Sequence, residues 1–367
     1  MEEKKTKVRT RFVGIDLGKR TYSVAFVGRD GKVTMSNGKT YVDGRQALYK
    51  KLRAGDKVAI EAGSMAFIMA KEIEKAVPEC QVYVLNPYRL EVIYKSMKKT
   101  DKEDALKLAH ILEDCREERL PVVPVPSEKE MKWRKLLAGS RRVKQERNRC
   151  INQLHGLFVS QGITTKVRAD LATGESRGEA IKELSGLERE EAEYLLKVLE
   201  LQEQRIAKLE ATMKEEAKGN EEIERLQSVP GVGPMVSFAF LAYIAVQRFE
   251  TAGQVSNYLG LVPRVYMSGD TERYGPITKR GNSYLRALLV QAAWALVRAR
   301  EGGKLKERYK YMTEEKSISK KKSIVAVARR LAEEMYALLR DGTNHERRPF
   351  TPGKTKAKEM AKVALSA

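Results

Sequence analysis

Arg11-Phe12-Val13-Gly14-Ile15-Asp16-Leu17-Gly18-Lys19 places one carboxylate, Asp16, among apolar residues and glycines, and its reading decides the first third of the chain. The stretch reads as a strand, and Thr21-Tyr22-Ser23-Val24-Ala25-Phe26-Val27 reads as its hairpin partner. An ionised acid inside a sheet is costly unless it is paired or coordinates a metal. On an edge strand or in a turn the same Asp16 would simply be hydrated. Asp30-Gly31 signals a turn before Lys32-Val33-Thr34-Met35, and residues 44–52 look helical. Lys57-Val58-Ala59-Ile60-Glu61-Ala62-Gly63 is a strand ending on a second carboxylate, residues 64–76 are helical, and Gln81-Val82-Tyr83-Val84-Leu85 is a strand stopped by Asn86-Pro87. Strands alternating with helices predict an α/β unit with a helix-covered sheet.

Thr100-Asp101-Lys102-Glu103-Asp104 has the spacing of a capping box and predicts a helix start, with Asp101 and Asp104 three apart on one face of its first turn. Acids there also complement the helix dipole, which is a sufficient reason for them on its own. Taken together, Asp16, Glu61, Asp101 and Asp104 come from separate elements and lie near strand ends and a helix start. Oxygen ligands suit Mg2+, and a pair of such ions about 4 Å apart can serve phosphodiester cleavage. A metal-dependent, nuclease-type centre is therefore the leading chemical reading.

Composition points the same way. Lysine and arginine number 70 against 49 acids, a formal net charge of +21 spread along all 367 residues. A polyanion is the natural partner for such a chain, because lysine and arginine set against phosphates release counterions. Cys80, Cys115 and Cys150 are isolated and suit reduced thiols, while His110, His155 and His345 are too scattered for a histidine metal site. No apolar run is long enough to span a membrane and no signal peptide opens the chain, so a cytoplasmic, nucleoid-associated protein is expected.

A break at Pro121-Val122-Val123-Pro124-Val125-Pro126 predicts the end of the first domain, residues 1–125. Residues 126–226 read as a helical coiled-coil connector. Its first long helix carries Arg141, Arg142, Lys144, Arg147 and Arg149 as candidate nucleic-acid contacts. Its second repeats Leu195, Leu199, Gln202, Ile206, Leu209 and Met213 at heptad spacing, which suits either an antiparallel hairpin or an oligomerisation stalk. Residues 227–340 read as a mainly α C-terminal domain. It opens on Ser228-Val229-Pro230-Gly231-Val232-Gly233-Pro234, the pattern of a helix-hairpin-helix turn in which Gly231 and Gly233 let backbone N–H groups approach a phosphate. A plain tight turn between packed helices explains the same glycines. A polar loop over residues 266–275, then Lys279-Arg280-Gly281-Asn282 before an amphipathic helix at 285–300, precede a further helix at 324–339. Residues 341–367 read as a mobile basic tail.

Three stretches, Gly14-Ile15-Asp16-Leu17-Gly18-Lys19, Ile60-Glu61-Ala62 and Lys99-Thr100-Asp101-Lys102-Glu103-Asp104-Ala105, resemble the DEDD motifs of a RuvC-like, RNase H-like domain. Val229 to Pro234, Tyr258-Leu259-Gly260-Leu261-Val262-Pro263, Ser268-Gly269 and Ile277-Thr278-Lys279-Arg280-Gly281-Asn282-Ser283-Tyr284-Leu285-Arg286 resemble the transposase domain of the IS110 family of insertion-sequence enzymes, the bridge-RNA-guided recombinases. The resemblance covers residues 10 to about 300 in the expected order. It implies an RNA-guided recombinase that cleaves and rejoins donor and target double-stranded DNA through a covalent phosphoserine. It also implies Mg2+ on the DEDD cluster, a guide (bridge) RNA as partner, and a homo-oligomer, dimer or tetramer.

The serine matching the family motif is Ser268. Gly269 would allow a sharp turn there, and Arg273, Lys279 and Arg280 could neutralise the phosphate under attack. A heptad seam joining subunits could set one subunit's serine against another's carboxylates. Spacing alone favours reading Ser268 as an ordinary turn serine, Ser283 and Tyr274 are rival hydroxyls, and Asn282 or Ser283 caps the next helix. Two other functions stay open: a metal-dependent, Holliday-junction-type nuclease, and a non-enzymatic nucleic-acid scaffold.

Overall fold

The computed structural model describes residues 10–63, 65–87, 89–90, 100–164, 168–171, 173–268 and 271–346. The chain divides into two compact units, Met1–Ser127 and Glu128–Ala367. Lys99 and the expected tail from residue 347 onward lie outside the described residues.

The first unit is built on a five-stranded sheet in the order β3-β2-β1-β4-β5. Strands β1 (Arg11–Leu17), β2 (Thr21–Gly28) and β3 (Val33–Lys39) form an antiparallel meander. Strands β4 (Lys57–Glu61) and β5 (Gln81–Leu85) continue from β1 in parallel. Helices α1 (Val42–Tyr49) and α2 (Ala66–Ala76) fill the connections. They cover the face from which Val13, Ile15, Val24, Phe26, Val58 and Ile60 project, joining Leu48, Met69 and Ile73 in one core. Each large aliphatic side chain buried there contributes about 1.5–3 kcal/mol.

The opposite face carries small residues where a helix crosses it closely. Gly14, Ala25 and Ala59 leave room for α3 (Asp101–Asp114), which packs through Ala105, Leu108 and Ala109. A Cβ on Gly14 would stand 1.9 Å from the Ala105 carbonyl oxygen and 2.6 Å from the Ala109 nitrogen, so only glycine permits this approach. The proline-rich stretch after α3 does more than end the unit. Val122 bridges to Leu85, and the Val123 N–H donates to the Val84 carbonyl at 2.6 Å, which closes part of the exposed edge of β5.

The second unit opens with two long helices, α4 (Glu128–Ser160) and α6 (Gly186–Ala217), separated by the short α5 (Gly174–Ala180). Their bonds run in opposite order along the two helices: Lys132 to Glu216, Lys144 to Glu210, Arg147 to Glu203 and Gln161 to Glu188. The pair is thus an antiparallel hairpin. Leu195 and Leu199 of the predicted seam are buried against Ile151, Leu154 and Phe158 of the same chain. At the other end Trp133, Leu137 and Met213 join the main C-terminal core.

That core is assembled from α7 (Glu221–Gln227), α8 (Pro234–Tyr243), α9 (Ala252–Tyr258), α10 (Ser283–Arg298), α11 (Gly303–Lys310) and α12 (Lys320–Asp341). The stretch read as a polar loop is instead a β-hairpin, β6 (Pro263–Ser268) with β7 (Thr271–Ile277). Val265, Tyr266, Met267 and Tyr274 are all exposed on it, so no buried face imposes the alternation that marks a strand in sequence. The C-terminal region is mostly helical with this one hairpin among its described residues.

Candidate functional site

The close crossing at Gly14 positions the carboxylates. Residues two apart on a strand share a face, so Asp16 lies on the same side of the sheet as Gly14, the side covered by α3. On β4 the same argument runs through Ala59, which packs with α3, to Glu61. Ile15 pairs with Ile60, so Asp16 and Glu61 each follow by one residue at the C-terminal ends of neighbouring parallel strands. Helix α3 starts at Asp101, with the Thr100 hydroxyl accepting from the Glu103 N–H at 3.3 Å as a capping box requires. Because Ala105 and Ala109 sit on Gly14, the turn before them, carrying Asp101 and Asp104, is brought toward Asp16.

Electrostatics records this arrangement. The Asp16 carboxyl is pushed up to about 6, first by burial and then by the charges of Asp101, Asp104 and Glu61. The Leu17 N–H offsets little of this. Asp104 accepts from Lys107 Nζ at 2.7 Å, an intrahelical pair that spacing alone did not single out. Ser23, also buried and also missed, stands across the hairpin from Asp16. Its signal was present in the register of the two strands. Among the described residues no three acid, histidine or cysteine side chains already form a metal-holding group. The four acids are gathered by field but not closed to ligating distance. Oxygen-only donors whose mutual repulsion raises one member's proton affinity do suit a hard divalent cation.

In the second unit Ser268 is the last residue of β6 and pairs with Thr271. Gly269 and Asp270 lie outside the described residues. Arg273, Lys279 and Arg280 are exposed. The segment carrying the last two is clamped. A Cβ on Gly260 would meet the Arg280 carbonyl oxygen at 2.2 Å, one on Gly281 the Tyr258 carbonyl oxygen at 1.9 Å, and Lys279 itself has φ 55°. Arg286 ties the two stretches by donating to the Leu259 and Arg280 carbonyls, both at 2.9 Å. Sequence reasoning missed Arg286; the paired glycines of Leu259-Gly260-Leu261 and Arg280-Gly281-Asn282 were the available signal. Asn282 caps α10, its side chain accepting from the Tyr284 and Leu285 N–H groups at 2.9 and 3.0 Å, which leaves Ser283 as the first helical residue.

Gly231, between α7 and α8, has φ 81°, and a Cβ there would stand 2.5 Å from the Leu296 nitrogen of α10. Its lack of a side chain is thus explained by packing. Gly233, by contrast, has open space at the same position. The basic residues of α4 divide similarly. Lys144 pairs with Glu210 at 2.6 Å and Arg147 with Glu203 at 2.9 Å, while the Arg141 guanidinium lies 5.2 Å from the Tyr284 ring centre. Arg142 and Arg149 are exposed and form no ion pair among the described residues. Arg177, buried on α5, also grips Glu203 with two bonds of 2.8 and 2.9 Å. Burial alone would raise the Glu203 carboxyl, but Arg177 and Arg147 outweigh it and hold it below its ordinary range.

Both halves of the chain match a known kind of protein. Residues 13–161 match a family profile for DEDD transposases of the IS110 type, and residues 223–310 match the profile described as "Transposase IS116/IS110/IS902 family". The chain is 29% identical over 302 residues to a Pseudomonas aeruginosa protein named "Probable family 20 transposase", covering 78% of this chain and 84% of that one. It is 30% identical over 219 residues to the transposase for insertion sequence element IS1111A of Coxiella burnetii, covering 59% of each. The transposase for insertion sequence element IS1328 of Yersinia enterocolitica is 26% identical over 292 residues, 77% of this chain and 82% of its own length. A carboxylate-bearing α/β unit followed by a mostly helical one, with these matches, defines a DNA transposase. The chain belongs to the IS116/IS110/IS902 family. No helix among the described residues is long and apolar enough to cross a membrane.

Proposed function

We propose that this transposase is an RNA-guided recombinase in which Ser268 attacks DNA and Asp16, Glu61, Asp101 and Asp104 hold Mg2+. The observation that carries the metal half is the Asp16 carboxyl, raised by burial and by the other three acids together. Bound there, the ion would supply Lewis-acid stabilisation of a phosphodiester under attack. The mixed sheet, with acids at the ends of adjacent parallel strands and on the helix across them, supports the RuvC-like reading of the first unit.

Attack by the Ser268 oxygen forms one P–O bond as the bond to the leaving deoxyribose oxygen breaks. The serine proton passes to a base and the leaving oxygen takes one up. The phosphodiester energy stays in the phosphoserine, so rejoining needs no ATP. Ser268 ends β6 at the tip of the hairpin, where the exposed Arg273 on the paired strand supports this role through positive charge, while the clamped Lys279–Gly281 segment at the hairpin's base presents Lys279 and Arg280 outward. The exposed Arg142 and Arg149 support guide-RNA binding along α4, with Arg141 beside them. Lys144 and Arg147 would take part at the expense of their pairs with α6. The turn holding Gly233 suits a backbone phosphate contact, and the α4–α6 hairpin is the coiled-coil connector. A dimer or tetramer is the assembly in this reading.

The test is to incubate full-length protein with Mg2+ and a DNA substrate matched to the RNA that copurifies with it. Ser268→Ala should lose the covalent protein–DNA adduct and recombination while retaining RNA. Asp16→Ala should lose strand cleavage with RNA binding intact. Mg2+-dependent cleavage surviving in Ser268→Ala without any adduct would favour a junction-resolving nuclease. No cleavage by the wild type would leave only a scaffold.

A further inference from the structure

Helices α11 and α12 line a half-open cavity of about 210 Å3 bounded by Lys304, Leu305, Arg308, Arg330 and Glu334. Its acids already have partners. Glu333, next to the lining, accepts from Arg330 at 2.7 Å, from Arg329 at 2.9 Å and from the Ser256 hydroxyl at 2.7 Å. Glu334 bonds the His345 ring at 2.6 Å and lies 3.9 Å from Lys304 Nζ. Arg308 is left over. Its Nε is buried and donates to no acceptor among the described residues. Burial first, then the charge of Arg330, hold its guanidinium below the ordinary arginine range, and Glu333 does not fully offset them.

A half-buried guanidinium whose Nε is shut off from water and forms no ion pair among the described residues favours an anion that meets it. Its planar fork matches two oxygens of a phosphoryl group, and Lys304 and Arg330 flank the same space. The surroundings indicate where such a group comes from. Lys310, Lys316, Lys320, Lys321 and Lys322 are exposed around the α11–α12 connection. The last three sit at the N-terminus of α12, where positive charge opposes the helix dipole. At 1.5 Å per residue, Lys320 lies about 15 Å from Arg330 along the helix. A lone phosphate would leave these lysines unanswered; a strand carrying successive phosphates would meet both them and the cavity.

We propose that the Lys304–Arg308–Arg330 cavity is a seat for one backbone phosphate of bound duplex DNA, continued by the lysines at the start of α12. This rests on the transposase reading. The experiment uses full-length protein and a duplex of arbitrary sequence, with affinity followed by fluorescence anisotropy across a KCl series. Arg308→Gln should flatten the log-affinity against log-salt slope by about 0.9, one phosphate contact, and weaken binding about three- to tenfold near 0.1 M salt. Arg308→Lys should retain most of the slope. Lys75→Gln removes the same charge from an exposed position of the first unit and should leave the slope unchanged. Circular dichroism checks that Arg308→Gln is folded. If Arg308→Gln behaves like Lys75→Gln, the seat is overturned. Thermal melts in phosphate against chloride at equal ionic strength form the second arm. A phosphate-dependent rise lost in Arg308→Gln, with the DNA slope unchanged, would overturn DNA as occupant in favour of free phosphate. A wild type with no DNA affinity would overturn the transposase reading along with this one.

Discussion

At Gly14, any side chain would collide with the Ala105 carbonyl oxygen 1.9 Å away, so Gly14→Ala has to move α3 off the sheet or bend β1. Overpacking of this kind costs about 1–3 kcal/mol, which urea denaturation would read directly. Because the displaced helix carries Asp101 and Asp104, transposase activity should fall as well. Asp16 should behave in the opposite sense. Its folded-state proton affinity is raised from the ordinary 3.8 to about 6, so the folded chain favours the neutral acid. That preference stabilises fully below about pH 3.8 and is lost as pH rises through about 6. Asp16→Asn should therefore stabilise the metal-free protein at pH 7.5 by about 1–2 kcal/mol, after allowance for partial solvent screening. Melting curves in chelator should show the gain vanish near pH 4. An equal gain at both pH values would mean that repulsion among the acids is not its source.

Among the elements, the helix hairpin offers the clearest stability test. Glu203 holds both Arg177, only 2% exposed, and Arg147. Glu203→Ala leaves a buried guanidinium uncompensated and should cost about 3 kcal/mol, with Arg147→Ala costing far less because its side chain reaches water. These elements also show how far the sequence could be read. Long helices announced themselves by period, and the first two strands by their apolar runs around Asp16. The Thr100 cap was legible because its partner is three residues away. Strands β6 and β7 were not, since their residues face water on both sides and leave no alternating pattern. The heptad seam was visible in α6, but only the antiparallel bonds to α4 show that Leu195 and Leu199 are covered within the chain. The four carboxylates were legible by motif; what brings them together, the small residues Gly14 and Ala59 each two positions before an acid, is a packing fact. Arg308 gave no local signal because it gains meaning from Arg330, a neighbour distant in sequence.

For the whole molecule, each unit has its own apolar core, so residues 1–127 expressed alone should retain a cooperative unfolding transition. A net charge of +21 predicts nucleic-acid affinity that falls steeply with salt, and ion pairing of Lys144 and Arg147 within the hairpin caps what α4 alone contributes. The central claim is that four acids from two strands and one helix act as a single divalent-cation centre. Manganese binding to the full-length protein, followed by electron paramagnetic resonance as free Mn2+ is depleted, tests it without requiring a DNA substrate. The account predicts saturable binding competed by Mg2+, weakened at least tenfold in both Asp16→Asn and Asp101→Asn and unchanged in Asp30→Asn. Equal binding by all four proteins would contradict it.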